Sequence, residues 1–128
     1  YDYINEHVEV AVKLNKPIVL SEFGFPREKE SLSLDASVEN RNVFYEALFS
    51  KLAESYAEKG HLSGVNFWGF AGFAETDETN GKWEEGDDFS ADPPQEPQGL
   101  NSVFAQDRST LELIKEYNEI VNPEAVKN

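Results

Sequence analysis

Two apolar runs separated by one helix-length stretch restrict the fold of this chain more than any other feature. Residues 17–20 read PIVL and residues 64–70 read GVNFWGF. Both have the length and the β-branched or aromatic content of strands, and the near-continuous apolar character of the second fits a strand covered on both faces. Pro17 lacks a backbone N–H and fits only as the first residue of its strand. Between the runs, Phe44, Leu48, Leu52 and Tyr56 recur at i, i+4, which marks one helical face. Gly60 sits where a left-handed cap would end that helix, and Asp35 or Ser37 offers the N-terminal cap with Glu39 in the first turn. Strand, helix, strand with buried strands implies a parallel pair and a right-handed crossover.

Helices flank this unit. Ile4, Val8, Ala11 and Val12 fall at helical spacing, and Asn15 supplies a stop. At the other end Ser109 and Glu112 spell a capping box, Leu113, Ile114, Tyr117 and Val121 supply an apolar face, and Pro123 terminates it. Residues 71–103 lose all periodicity. Glycine, proline and acidic residues dominate there, and Pro93, Pro94 and Pro97 exclude regular structure. A connection that long is usually functional or disordered.

Two parallel strands leave open edges and do not make a complete sheet. A full (β/α)₈ barrel takes ~250 residues, twice what is present. Residues 1–128 therefore read as one unit of a larger α/β architecture. Helical periodicity running from the first residues is what the interior of a longer protein would show. The open edges also predict self-association into a homo-oligomer.

The charge balance excludes several partners. Acidic residues outnumber basic ones 25 to 11, for a net charge of -14. Such a field repels phosphate backbones and anionic lipid, so neither nucleic acid nor a membrane surface is expected. The longest apolar run is too short to span a bilayer, and no secretory signal is present. There is no cysteine, which removes disulfides and thiolate metal sites. Ser21 lies outside any G-x-S-x-G elbow and no glycine-rich phosphate cradle occurs, which disfavours serine hydrolase and nucleotide chemistry. His7 and His61 have no partner pattern and read as surface or helix-end residues. The acidic loop does not match an EF-hand spacing, and neither metal nor cofactor is expected.

Four residues, at two strand ends and in the long loop, carry the chemistry that remains. Glu22 closes the first strand at its C-terminal end, where barrel enzymes build their active sites. Strand parity puts it on the face of Ile18 and Leu20. A carboxylate there is costly unless hydrogen-bonded or used, although position alone fits a surface salt bridge equally well. Trp68 lies near the end of the second strand, where an indole either fills a core or stacks on the apolar face of a sugar ring. In the long loop Trp83 offers a further sugar platform and Asp88 a carboxylate for hydroxyl groups, while most of the loop's other carboxylates read as solvated.

Residues 16–24, KPIVLSEFG, closely resemble the seventh-strand nucleophile motif of glycoside hydrolase family 5. VNFWGFAG resembles the eighth-strand segment whose tryptophan floors the subsite of the cleaved sugar. Residues 87–118, DDFSADPPQEPQGLNSVFAQDRSTLELIKEYN, look like the end of the barrel in bacterial endo-β-1,4-mannanases of that family. The likeness spans residues 16–121. It implies the C-terminal portion of a (β/α)₈ barrel, about the last two β/α units, with residues 71–103 as a long active-site loop. The implied activity is retaining hydrolysis of β-mannan, with Glu22 as nucleophile and Trp68, Trp83 and Asp88 as substrate-binding residues. The implied partner is a polysaccharide, and the implied location is secreted, periplasmic or outer-surface in a bacterium.

The same resemblance demands a second carboxyl group, the Glu of an Asn-Glu pair ending the fourth strand. The Asn-Glu pairs present, Asn5-Glu6 and Asn118-Glu119, both fall in expected helices. The acid/base is therefore expected to lie outside this chain, which should be inactive by itself. Alternatives are a cellulase-like β-1,4-glucanase with the same mechanism, a carbohydrate-binding module using Trp68 and Trp83, or a self-associating fragment. The helix–strand alternation argues against the usual β-sandwich of such modules.

Overall fold

Asn15 ends the first helix as its sequence position suggests. It adopts a left-handed backbone at φ 50°, its N–H reaches Val12 O at 3.0 Å, and the Lys16 N–H reaches Ala11 O at 3.0 Å. This is a Schellman closure, which satisfies carbonyls the helix leaves unpaired. The computed structural model describes residues 2–79 and 81–124; Tyr1, where the sequence reading starts, Asn80 of the long loop and residues 125–128 lie outside them. In chain order the elements are α1 (Asp2–Leu14), β1 (Ile18–Phe23), a 3₁₀ turn (Glu28–Glu30), α2 (Glu39–Glu58), β2 (Leu62–Phe67), β3 (Phe70–Gly72), β4 (Val103–Phe104) and α3 (Arg108–Val121). Strands β1 and β2 form a parallel pair, and β3 and β4 form a second one.

Several caps depart from expectation by one or two residues. The left-handed position after α2 is taken by Lys59 at φ 55°, and the Gly60 N–H donates to Ser55 O at 2.7 Å. Gly60 is required for closeness instead: a Cβ there would lie 2.7 Å from Ser55 Oγ. At the start of α2, Val38 is the N-cap without a side-chain bond, and Ser37 Oγ accepts the Glu39 N–H at 3.2 Å. The expected capping box of α3 does not form. Asp107 holds the N-cap position, and Ser109 Oγ accepts from Asn42 Nδ2 at 2.9 Å.

The buried face of α2 is also rotated from the expected stripe. Arg41, Tyr45, Leu48, Phe49 and Leu52 are buried, whereas Tyr56 is 51% exposed. Phe23, Tyr45, Leu48, Phe49 and Val103 make the core, with Leu20, Val65, Phe67, Ile114 and Tyr117 packed around it. Edge-to-face rings organise it, with Phe23 and Tyr45 centroids 4.9 Å apart and Tyr45 and Phe49 5.8 Å apart. Such pairs contribute ~0.5–1.5 kcal/mol each beyond area burial.

The β1–β2 register corrects the strand-parity reading. Ile18 pairs with Leu62, Val19 with Gly64, Leu20 with Val65 and Phe23 with Phe67. Ser63 is therefore extra in β2, and one residue is extra in β1 between Leu20 and Phe23. Because of that bulge, Phe23 and not Glu22 continues the core-facing side of Leu20. The expected burial of the second strand on both faces is not met. Only Leu62 of β2 is buried, and Val19 of β1 is 48% exposed, because no described element covers the far side of this pair. The GVNFWGF run is also two strands, not one, divided at the cis Trp68–Gly69 peptide.

Candidate active site

The two strands end side by side. Past the Phe23–Phe67 pair, the Trp68 N–H donates to Phe23 O at 2.6 Å as the last rung between them. Glu22 on β1 and Trp68 just after β2 thus reach one recess of about 330 Å³, whose other walls include Gly24, Pro93, Glu96 and Asn101. Glu22 is exposed, as a bulge that turns it away from the core requires.

The opposite wall is a strap, residues 90–102, within the segment 71–103 whose carboxylates, Asp92 included, were expected to be mostly solvated. Its centre is polar and buried: Ser90, Asp92, Gln98 and Ser102 are all under 5% exposed. The Asp92 carboxylate accepts the Gly99 N–H at 2.9 Å, the Asn101 N–H at 3.3 Å and Ser102 Oγ at 2.6 Å. Gln98 Nε2 donates to Asp92 O at 2.8 Å and to Pro93 O at 3.0 Å, while its Oε1 accepts from Ser90. Ser90 O also lies against Ser102 Oγ, so the single hydroxyl proton is shared between it and the Asp92 carboxylate. Gly99, at φ 89°, lies so close to Thr76 that a side chain there would collide with it and crowd Phe104. A buried polar centre with its partners supplied is rigid, so 71–103 is built around a fixed segment despite its prolines.

A second buried network supports the chain just beyond Glu22. Asp107 holds Arg27 Nη2 at 2.6 Å and Arg41 Nη1 at 3.1 Å and accepts the Phe104 N–H at 2.9 Å. Arg41 Nε donates in turn to Phe25 O at 2.7 Å, and Arg27 Nη1 to Ala36 O at 3.2 Å. Burial lowers the Arg41 pKa below the ordinary guanidinium value, against the opposing fields of Tyr45 and Asp107. Burial also pushes the Tyr45 phenol up to about 12. The arginine at position 41, inside an otherwise apolar helix face, was the sequence signal for this network.

The structure brings together Glu22 and Trp68 and places the other two expected site residues elsewhere. Trp83 is 40% exposed and its Nε1 donates to Asp87 O at 3.1 Å. Asp88 accepts the Glu75 N–H at 2.9 Å and lines a separate hollow of about 300 Å³ with Thr76, Lys82 and Asp87. Neither lines the Glu22 recess. Glu96 and Asn101, which do, were not singled out in the sequence. Asn5-Glu6 lies in α1 and Asn118-Glu119 in α3, where Glu119 faces Lys115 at 3.7 Å. His7 is exposed and His61 half-buried just past the end of α2, and among the described residues their rings hydrogen-bond to the backbone oxygens of Tyr3 and Lys16.

The model of a family described as GH family 5 beta-mannosidase-like matches residues 1–125. The chain belongs to glycoside hydrolase family 5. Among solved structures, the family 5 mannosidase of Rhizomucor miehei superposes with a TM-score of 0.79 at 29% identity, covering 94% of this chain and 30% of that one. A Glu-to-Ala variant of that mannosidase in complex with mannosyl-fructose superposes at 0.78 and 28% identity, with the same coverage. The chain thus spans about 30% of the length of these structures. As a family 5 chain it has the fold of part of a (β/α)₈ barrel, in agreement with the sequence reading. No curated protein matches it significantly.

Proposed function

We propose that this chain supplies the nucleophile end of a β-mannoside hydrolase that acts with retention, in which Glu22 attacks the anomeric carbon and Trp68 carries the sugar. The observation that carries this is the shared recess of Glu22 and Trp68 at adjacent strand ends. In a retaining hydrolase a carboxylate forms a glycosyl-enzyme intermediate, and a second carboxyl group, roughly 5–5.5 Å away, first protonates the leaving oxygen and then activates water. That partner belongs to barrel units beyond the described residues, so the chain alone lacks turnover. Losing a general acid costs ~10²–10⁴-fold in rate. Trp83 and Asp88, off the recess, would serve sugar units further along a chain substrate.

The finer reading is internal cleavage of β-1,4-mannan by a secreted or surface-exposed enzyme, and it rests on the mannanase-like segment at 87–118. The mannosidase description of the structural neighbours favours removal of terminal mannose instead. In the barrel completed by its remaining units, Glu22→Ala should abolish hydrolysis of β-mannan and β-mannobiose, and azide should restore it as a glycosyl azide. Retained turnover in Glu22→Ala overturns the reading. Product sizes from mannan separate internal from terminal cleavage, and activity on cellulose in place of mannan would reassign the sugar. Cleavage of mannan by the 128-residue chain, lost in Glu22→Ala, would refute its dependence on outside residues.

A further inference from the structure

Two glycines follow the strand ends that carry the recess, and the same strap rests on both. A Cβ on Gly24 would lie 2.9 Å from Asn101 Cβ, and a Cβ on Gly69 would lie 3.0 Å from Ala91 Cβ. Gly24 comes two residues after Glu22, and Gly69 directly after Trp68. One limb of the strap therefore sits on each strand end. Besides the Trp68–Phe23 rung and the Val103 N–H bond to Gly69 O at 2.9 Å, the strap connects them.

Asp92 joins the two limbs. It follows Ala91, which rests on Gly69, and its carboxylate takes its three donors, Gly99, Asn101 and Ser102, from the limb that rests on Gly24. Asp92 is fully buried. A carboxylate in that position persists only because those donors are supplied, so the limbs cannot separate without exposing it or leaving it unpaired.

We propose that Asp92 is a positioning residue that sets the Glu22 strand end against the Trp68 strand end by tying the limbs of the strap together. Its importance for turnover rests on the assignment of Glu22 and Trp68 as reacting and sugar-carrying groups, whereas the mechanical tie does not. The tie is measurable in the 128-residue chain with Trp83→Phe, which leaves Trp68 as the single tryptophan. Asp92→Asn preserves volume, but its amide nitrogen cannot accept, so at least one donor loses its partner. The expected result is a red-shifted Trp68 emission with stronger acrylamide quenching. Gly24→Ala, which pushes on Asn101 from the far limb, should shift Trp68 in the same direction.

The decisive measurement is the double-mutant cycle. With Asp92 present, Gly24→Ala should move the Trp68 signal; with Asp92→Asn it should move it clearly less, the remainder passing through the Gln98 and Ser102 bonds between the limbs. Equal effects in both backgrounds, or an unmoved Trp68 in Asp92→Asn, overturn the proposal. If Asp92→Asn does not fold, Ser102→Ala removes one of the three bonds and enters the same cycle with the same expectations. In the completed barrel, Asp92→Asn should lower kcat while Glu22→Ala abolishes it. A Glu22→Ala enzyme that still turns over would remove the catalytic assignment and leave the spectroscopic cycle standing.

Discussion

Arg27 and Asp107, 80 positions apart in sequence, meet in a buried ion pair of 2.6 Å. Arg41 completes the group from α2 at 3.1 Å, so one carboxylate bridges two guanidiniums in the interior. Asp107 also begins α3, which means that helix is docked by charge at its first turn and by Leu111, Ile114 and Tyr117 along its length.

Removing that carboxylate should be the most damaging single change outside the site. Asp107→Ala leaves two buried cations unpaired, a loss of ~3–5 kcal/mol by comparison with other broken buried pairs. Urea denaturation should show the loss as a lower midpoint, and a change below 1 kcal/mol would mean that the arginines find other acceptors.

Tyr45 predicts the opposite sign. Its hydroxyl is buried with no hydrogen-bond partner among the described residues, so Tyr45→Phe removes an unsatisfied group and should leave stability unchanged or raised by ~1 kcal/mol. The pH dependence follows from the raised pKa of about 12. Below pH 10 both folded and unfolded chains keep the phenol neutral. Between pH 10 and 12 only the unfolded chain ionises, so stability falls by about 1.4 kcal/mol per pH unit. Alkaline melts of Tyr45→Phe should lack this contribution, and identical slopes in both proteins would count against it.

Gly60→Ala tests the close approach at the end of α2. The new methyl would force Ser55 Oγ off its bond to Leu62 O, now 2.9 Å, at a cost of ~1 kcal/mol. Adding Ser55→Ala should reduce the cost, which thermal melts of the single and double variants would show.

The uncovered side of β1 and β2 should draw chains together. Val19 is 48% exposed on a strand, and open parallel edges seek partners. Sedimentation of the 128-residue chain should show weight-average mass rising with concentration; a monomer throughout the micromolar range would argue against edge pairing.

The parallel strand–helix–strand unit was legible because apolar periodicity reports burial directly, and Asn15 was legible because few residues take positive φ without cost. Glu22 and Trp68 were legible from strand-end position and motif together. What escaped depended on contacts distant in sequence. Asp92 and Asp107 look like surface acids in the chain, and only folding delivers the Gly99, Asn101 and Ser102 donors to one and the Arg27 and Arg41 cations to the other. Parity failed at Glu22 because a period-two pattern cannot announce an inserted residue. Ser109 failed as a cap because its hydroxyl is engaged by Asn42, which lies 67 residues away.

The two irregularities in the β1–β2 ladder behave like compensating frameshifts. Ser63 puts β2 one residue ahead after Ile18–Leu62, and the extra residue near Glu22 cancels it before Phe23–Phe67, so the ends lie level again. Deleting Ser63 alone would stagger the Glu22 and Trp68 ends by one residue, ~3.3 Å along the strand. Deleting Ser63 and Ser21 together would bring them level, and a loss of alignment in the first deletion should therefore be suppressed by the second.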